Sequence, residues 1–178
     1  MAPLPVKPSE LDPQSETAPK EPNEATKDPS ASKNASRTDM ILVINDPYMQ
    51  QIVDGTKTYE YRKYDMVGIK RIWFYRTAPH SAITHVCEVD AAVTRGPGIA
   101  PLPEDGLGNK EFNEWHPDWD LYDFAYRIKS VYSVNAPDGI PWAQMRDLHG
   151  MKMPPRGRVS LPQSIGEEFK WNEQTKIR

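Results

Sequence analysis

The spacing of apolar and polar residues changes period several times along this chain, and each change marks an element. Met40-Ile41-Leu42-Val43-Ile44 is an unbroken apolar run rich in β-branched side chains, which predicts a strand. Asp46-Pro47 then reads as a helix start, an N-cap followed by proline in the first helical position. Tyr48, Met49, Ile52 and Val53 recur at helical spacing, and Gly55 stops the helix. From Thr58 the period becomes two. Thr58, Glu60 and Arg62 share one parity while Tyr59 and Tyr61 share the other. Alternation predicts a strand with its tyrosines in the core and its polar set on the opposite, outer face.

Further strands are predicted at Ile69–Tyr75, Ala82–Val93, Phe124–Val134 and around Arg158–Leu161, and Pro141–Leu148 reads as a short helix ended at Gly150. Thr77-Ala78-Pro79-His80 and Pro137-Asp138-Gly139 break the pattern. Residues 95–123 form an insertion too long for a simple turn, and such loops are functional or disordered. Phe112, Trp115, Trp119 and Tyr122 argue for order there, with Asn109 capping a short helix through Trp115. The last dozen residues show no clear pattern. Five to six short strands without βαβ alternation predict an α+β domain with a curled or barrel-like sheet.

Composition divides the 178 residues into two parts. Residues 1–39 are rich in proline and charge, with no aromatic and no apolar period, so they cannot offset their ordering entropy and read as a disordered tail. The domain is then 40–178, long enough for one core. Met1–Leu11 lacks the apolar stretch of a secretory signal, and the tail is too acidic for a transit peptide. Asn34-Ala35-Ser36 matches a glycosylation acceptor that matters only in a secreted chain. No apolar run approaches the roughly 18 residues of a membrane span. An intracellular monomer, cytoplasmic or nuclear, is expected, and removal of 1–39 should leave the melting temperature unchanged.

The formal net charge is -3 and the pI about 5.8, which disfavours duplex DNA as a partner, since duplex binders present a basic face. Lys57, Arg62, Lys63, Lys70, Arg71 and Arg76 nevertheless cluster, with only Glu60 and Asp65 among them. The cluster suits a small anionic site or a short single strand, and equally a solvated charged face. The single Cys87 rules out an internal disulfide, and its strand context reads as a small buried thiol. His80, His85, His116 and His149 have no ligand spacing, so no metal or cofactor is expected.

Gly55, Lys57, Glu60 and Arg62 spell G-x-K-x-x-E-x-R directly after the strand and short helix. This resembles the ASCH domain of the PUA-like superfamily, small β-barrels linked to RNA and modified bases. "FYRTAP" (74–79), "ITHVCEVD" (83–90), "GLGNKEFN" (106–113), "FAYRIKSVYSV" (124–134) and "IPW" (140–142) resemble its later segments, so the likeness runs over about 40–162. The resemblance implies a small PUA-like β-barrel with a ligand cleft beside the first helix. It places Lys57, Glu60, Arg62, Tyr75, Thr77, Asn113 and Trp115 at that cleft. A carboxylate accepts from exocyclic amines, Arg presents a planar fork and Lys a point charge for phosphate. Trp115 and Trp119 offer stacking faces, or seal the open end of the barrel.

Two functions follow from the resemblance. One is a non-catalytic reader of single-stranded RNA or a modified nucleoside. The other is a small amidohydrolase acting on an acylated nucleoside such as acetylcytidine, with Lys57 as base acting with Glu60 or a nearby threonine, Thr56 or Thr58, and with Glu88 as a further candidate carboxylate. In such hydrolases a threonine nucleophile sits three residues after the motif lysine. Here that position is Glu60, which favours binding.

Overall fold

The structure, a computed structural model, describes residues 35–178 and the side chains from Thr38 onward. Strand β1 (Ala35–Ile44) leads through α1 (Asp46–Val53) to β2 (Tyr59–Arg62), β3 (Arg71–Arg76), β4 (Ala82–Val89) and the short β5 (Val93–Thr94). The insertion carries α2 (Asn109–Asn113). After it come β6 (Phe124–Ser133), β7 (Ile140–Pro141), α3 (Trp142–His149), β8 (Arg158–Pro162), α4 (Gln163–Glu168) and β9 (Thr175–Lys176).

Six strands run in the order β2-β6-β4-β3-β1-β8, while β5 and β9 pair with β6 and β7 pairs with β4. Among the described pairings only β1 with β3 is parallel, with Ile41 opposite Trp73 and Val43 opposite Tyr75. A parallel pair needs a crossover, and α1 with β2 forms it. Register shifts after Phe74 and after Glu88 mark bulges that help curl the sheet into an open half-barrel. The mixed α+β architecture matches the expectation. Its strand count exceeds five to six only through the three two-residue pieces, which period-two patterning cannot reveal.

Alternation along the strands makes two apolar faces. On the inner face Leu42, Ile44, Phe74, Cys87, Tyr126 and Val131 enclose Met49 and Ile52 of α1. On the outer face Ile41, Trp73, Tyr75 and Val86 meet Met145 of α3 and Ile165 of α4. Residues 95–123 are ordered and build a third cluster, in which Leu102, Phe112, Trp119 and Tyr122 pack on Tyr59, Tyr61 and Ala125. Gly108 permits that packing. Its φ is +90° and an added Cβ would come within 2.5 Å of the Trp119 ring. Helix α2 ends at Asn113, before Trp115, and starts after Gly108. Likewise α1 is capped by Asn45 rather than Asp46, and the Asn45 side chain accepts from Thr77 instead of capping the helix.

The boundary of the domain moves. Residues 1–34 lie outside the described chain, as does Asn34 of the glycosylation triplet, but 35–39 belong to β1. Asp39 is 5% exposed and takes a bidentate Arg71 at 2.6 and 2.8 Å together with the Trp73 indole N–H at 3.0 Å. Removing residues up to 39 therefore deletes a buried acceptor, because the apolar run alone does not mark where pairing starts. Among the described residues no helix is long and apolar enough to cross a membrane. Asp39→Ala should lower the melting temperature by several degrees, since each buried donor left unpaired costs about 1–3 kcal/mol. A thermal scan showing no shift would mean that solvent replaces the carboxylate.

Candidate functional site

Helix α1 ends at a reversal that only the local sequence explains. Gly55 takes φ +80°, and the Lys57 amide donates back to the Gln51 carbonyl at 2.9 Å. The chain enters β2 with the Lys57 side chain folded over it. Lys57 Nζ donates to the Tyr59 carbonyl and to Glu60 Oε2 at 2.9 Å, and lies 4.8 Å from the centre of the Tyr61 ring. Arg62 reaches Glu60 Oε1 at 2.7 Å and the Val43 carbonyl of β1 at 3.4 Å. Lys57, Glu60 and Arg62 are 3%, 2% and 1% exposed.

This corrects the expected orientation of β2. Its polar parity points to the inner face, where Glu60 pairs across strands with Tyr126, and its tyrosines point the other way into the insertion cluster. Both faces are buried because residues 95–123 cover the tyrosine side. Alternation was read correctly and its direction was not.

The electrostatics follow from burial. For Glu60, burial opposes ionisation, yet Lys57 and Arg62 outweigh it and hold the carboxyl below its usual range. For Lys57, burial lowers the affinity for a proton, Glu60 pulls it back up and Arg62 lowers it further. The net effect leaves the Lys57 pKa lowered, with burial the largest cause, and Lys57 and Arg62 both lean on the single carboxylate of Glu60. Among the described residues no cluster of three or more His, Cys, Asp or Glu side chains could hold a metal ion.

The inner face continues past Cys87 and Val131, which are cross-strand partners, to the next paired residues, His85 and Ser133. These two line a pocket of about 460 Å³ with Arg76, His80 and Thr84. For Asp46, at the start of α1, burial is the largest single effect and opposes ionisation, but His80 and Arg76, which both donate to it, together outweigh burial and lower its pKa. His85 is 9% exposed, and burial with the nearby Arg76 charge depresses its pKa to about 4. Neither His85 nor Ser133 stood out in the sequence, because their signal is a cross-strand register that a bulge resets.

The remaining predicted site residues lie elsewhere. Tyr75 packs in the outer-face cluster. Thr77 donates to Asn45 at 3.0 Å beside the start of α1. Asn113 closes the insertion by bonding the Leu102 amide at 2.8 Å and carbonyl at 2.9 Å. Trp115 is 55% exposed, with the Arg95 guanidinium 4.2 Å from its ring centre. Glu88 accepts from Ser130 at 2.6 Å and from Tyr132, opposite Arg71 and away from Lys57. Parity separates Tyr75 and Glu88 from the inner face.

The sheet curls into a half-barrel with one helix laid in its concavity, and the charged network follows directly after that helix. No protein-family model matches the sequence, and none of the curated proteins does. Solved structures do match. The ASCH protein of Zymomonas mobilis superposes with a TM-score of 0.53 at 17% identity, covering 79% of this chain and 98% of that one. Its serine-to-alanine variant gives 0.55 at 16% identity over 79% and 99%, and its tyrosine-to-phenylalanine variant 0.53 at 16% over 78% and 99%. The chain has the ASCH fold.

Two predictions follow from the charges. Lys57→Met leaves a balanced Glu60–Arg62 pair and should keep or raise the melting temperature, whereas Glu60→Gln strands two buried cations and should cost about 3–5 kcal/mol. Equal losses in both variants would show that the network does not lean on Glu60 more than on Lys57. For His85, the unfolded imidazole binds a proton near pH 6.5 while the folded one refuses it down to about 4. Its stability contribution is full above about 6.5 and lost as pH falls towards 4, at most about 3 kcal/mol. Melting curves of His85→Gln should accordingly fall less steeply between pH 7 and 4 than those of the wild type.

Proposed function

We propose that this chain binds single-stranded RNA or a modified nucleoside in the inner-face cleft beside α1, and reads it without chemistry. The observation that supports this most is the burial of the Lys57–Glu60–Arg62 network, two basic side chains on one carboxylate. Such a network is expensive to bury and adds little stability against an apolar core of the same volume. A ligand that brings a phosphate or carbonyl oxygens to Lys57 and an amine to Glu60 would match it, which is the hydrogen-bonding pattern of a nucleotide. The pocket of about 460 Å³ lined by His85 and Ser133, further along β4 and β6, falls within the size range of small-ligand sites. The ASCH fold and the local basic cluster add support.

The donor pattern around Lys57 speaks against hydrolysis. Its Nζ already donates to the Tyr59 carbonyl and to Glu60 Oε2, two acceptors that hold its protons where a base would need a free lone pair. The nearby Thr58 hydroxyl is engaged by Asp105 at 3.1 Å and Asn109 at 3.2 Å, within the insertion.

Fluorescence anisotropy with a labelled short single-stranded RNA, and competition by free nucleosides, test the binding. Lys57→Met should weaken affinity at least tenfold, roughly 1.4 kcal/mol, while the fold persists. Trp115→Ala should leave it unchanged, since Trp115 belongs to the insertion that covers the other face of β2. Equal affinity of wild type and Lys57→Met for every nucleic-acid probe would reject the reading. Incubation with acetylcytidine should release no acetate. Turnover that vanishes in Lys57→Met would make the protein an amidohydrolase instead.

A further inference from the structure

The segment Thr175–Arg178 runs along the edge of β6 and reaches the end of α1. Strand β9 pairs antiparallel with β6, Thr175 opposite Ser133 and Lys176 opposite Tyr132. The pairing continues as the Ile177 amide donates to the Val131 carbonyl at 2.8 Å and the Val131 amide to the Arg178 carbonyl at 2.9 Å. On the same strand, the Ile128 amide donates to the Thr58 carbonyl at 3.0 Å. The segment thus extends the line of β2 along the edge of β6 and meets the start of the Lys57 turn.

Arg178 completes the closure. Its Nε donates to the Ile52 carbonyl in the last turn of α1 at 3.2 Å, so the residue bridges β6 and the helix. Gly55 leaves room for it, because an added Cβ would lie 3.3 Å from Arg178 Nη1. Behind this bridge is the fully buried Cys87, whose cross-strand partner Val131 is bonded to Arg178. The Cys87 thiol feels both the Arg178 guanidinium and the Glu60 carboxylate, while burial pushes its pKa up. Arg178, Cys87 and Glu60 therefore share one neighbourhood.

The cover is lightly held. Residues 175–178 are all exposed, and none belongs to a buried core cluster. Outside the β6 pairing the main anchor is Asn135. Its side-chain amide donates to the Glu173 carbonyl at 2.7 Å, and its oxygen accepts from the Thr175 amide at 3.2 Å and hydroxyl at 2.5 Å. Exposed hydrogen bonds without apolar burial are the mark of segments that open locally at low free energy.

We propose that Thr175–Arg178 is a self-inhibitory strap, which seals the cleft and must lift from β6 before a ligand reaches Lys57 and Glu60. The proposal rests on the cleft being a ligand site, but its closure can be tested without any ligand. Cys87 is the sole cysteine, so labelling of the native full chain by a maleimide reports access behind the strap. Asn135→Ala and Arg178→Ala should each label at least tenfold faster than wild type, with melting temperatures within a few degrees of it. Both should also bind single-stranded RNA more tightly. Equal labelling rates in all three proteins would overturn the strap, whatever the RNA data show. Faster labelling with unchanged RNA affinity would keep the strap as the cover and sink the nucleic-acid reading.

Discussion

The buried Lys57–Glu60–Arg62 network is the constraint around which this domain is arranged. Three charges at 3% exposure or less cannot be left to water, so each must be met by the chain itself. Glu60 takes both cations, Arg62 adds the Val43 carbonyl of β1, and Lys57 adds the Tyr59 carbonyl. The network therefore ties β2 to β1 across the concave face, between strands that share no backbone ladder. Helix α1 supplies the cover that keeps it dry.

Burying that face of β2 forces a solution for the other. Tyr59 and Tyr61 would be a bare aromatic surface if residues 95–123 were a flexible loop. Instead Trp119 meets Tyr61 edge-on at 4.7 Å, and Asn109 accepts the Tyr61 hydroxyl at 2.5 Å while donating to Thr58 and Asp105. Arg95 locks the insertion from below through Asp123 and the carbonyls of Phe112 and Trp119. The two faces of one four-residue strand thus serve different ends, a charged cleft and an aromatic clamp that steadies it.

Much of this was legible in the sequence because it is local. The Asp46-Pro47 start, the Gly55 stop and the β-branched runs depend on a few neighbouring residues and locate the elements, although β1 already starts at Ala35 and the run expected from Ala82 to Val93 ends at Val89, with Val93 in the separate β5. Motif spacing likewise brought Lys57, Glu60 and Arg62 to one place. What stayed hidden depends on partners distant in sequence. The inward face of β2 is decided by where 95–123 packs, and the location of Glu88 and Tyr75 by the parity of a bulged register. The His85–Ser133 pairing and the strap over Val131 are tertiary facts with no local trace. Asp39 is the borderline case: a charged residue before an apolar run reads as the end of a tail, and only its contacts with Arg71 and Trp73 reveal it as core.

The end of α1 helps explain why basic side chains gather there. The last carbonyls of a helix carry partial negative charge and lack intrahelical donors. Here Gln51 receives the Lys57 amide and Ile52 the Arg178 guanidinium, so the helix end gathers basic residues as its natural partners. Those carbonyl dipoles favour a positive neighbour, and Arg178 shares the same field from outside. The field of the short helix therefore acts in the same sense as Glu60, easing the burial of a basic side chain at the turn into β2.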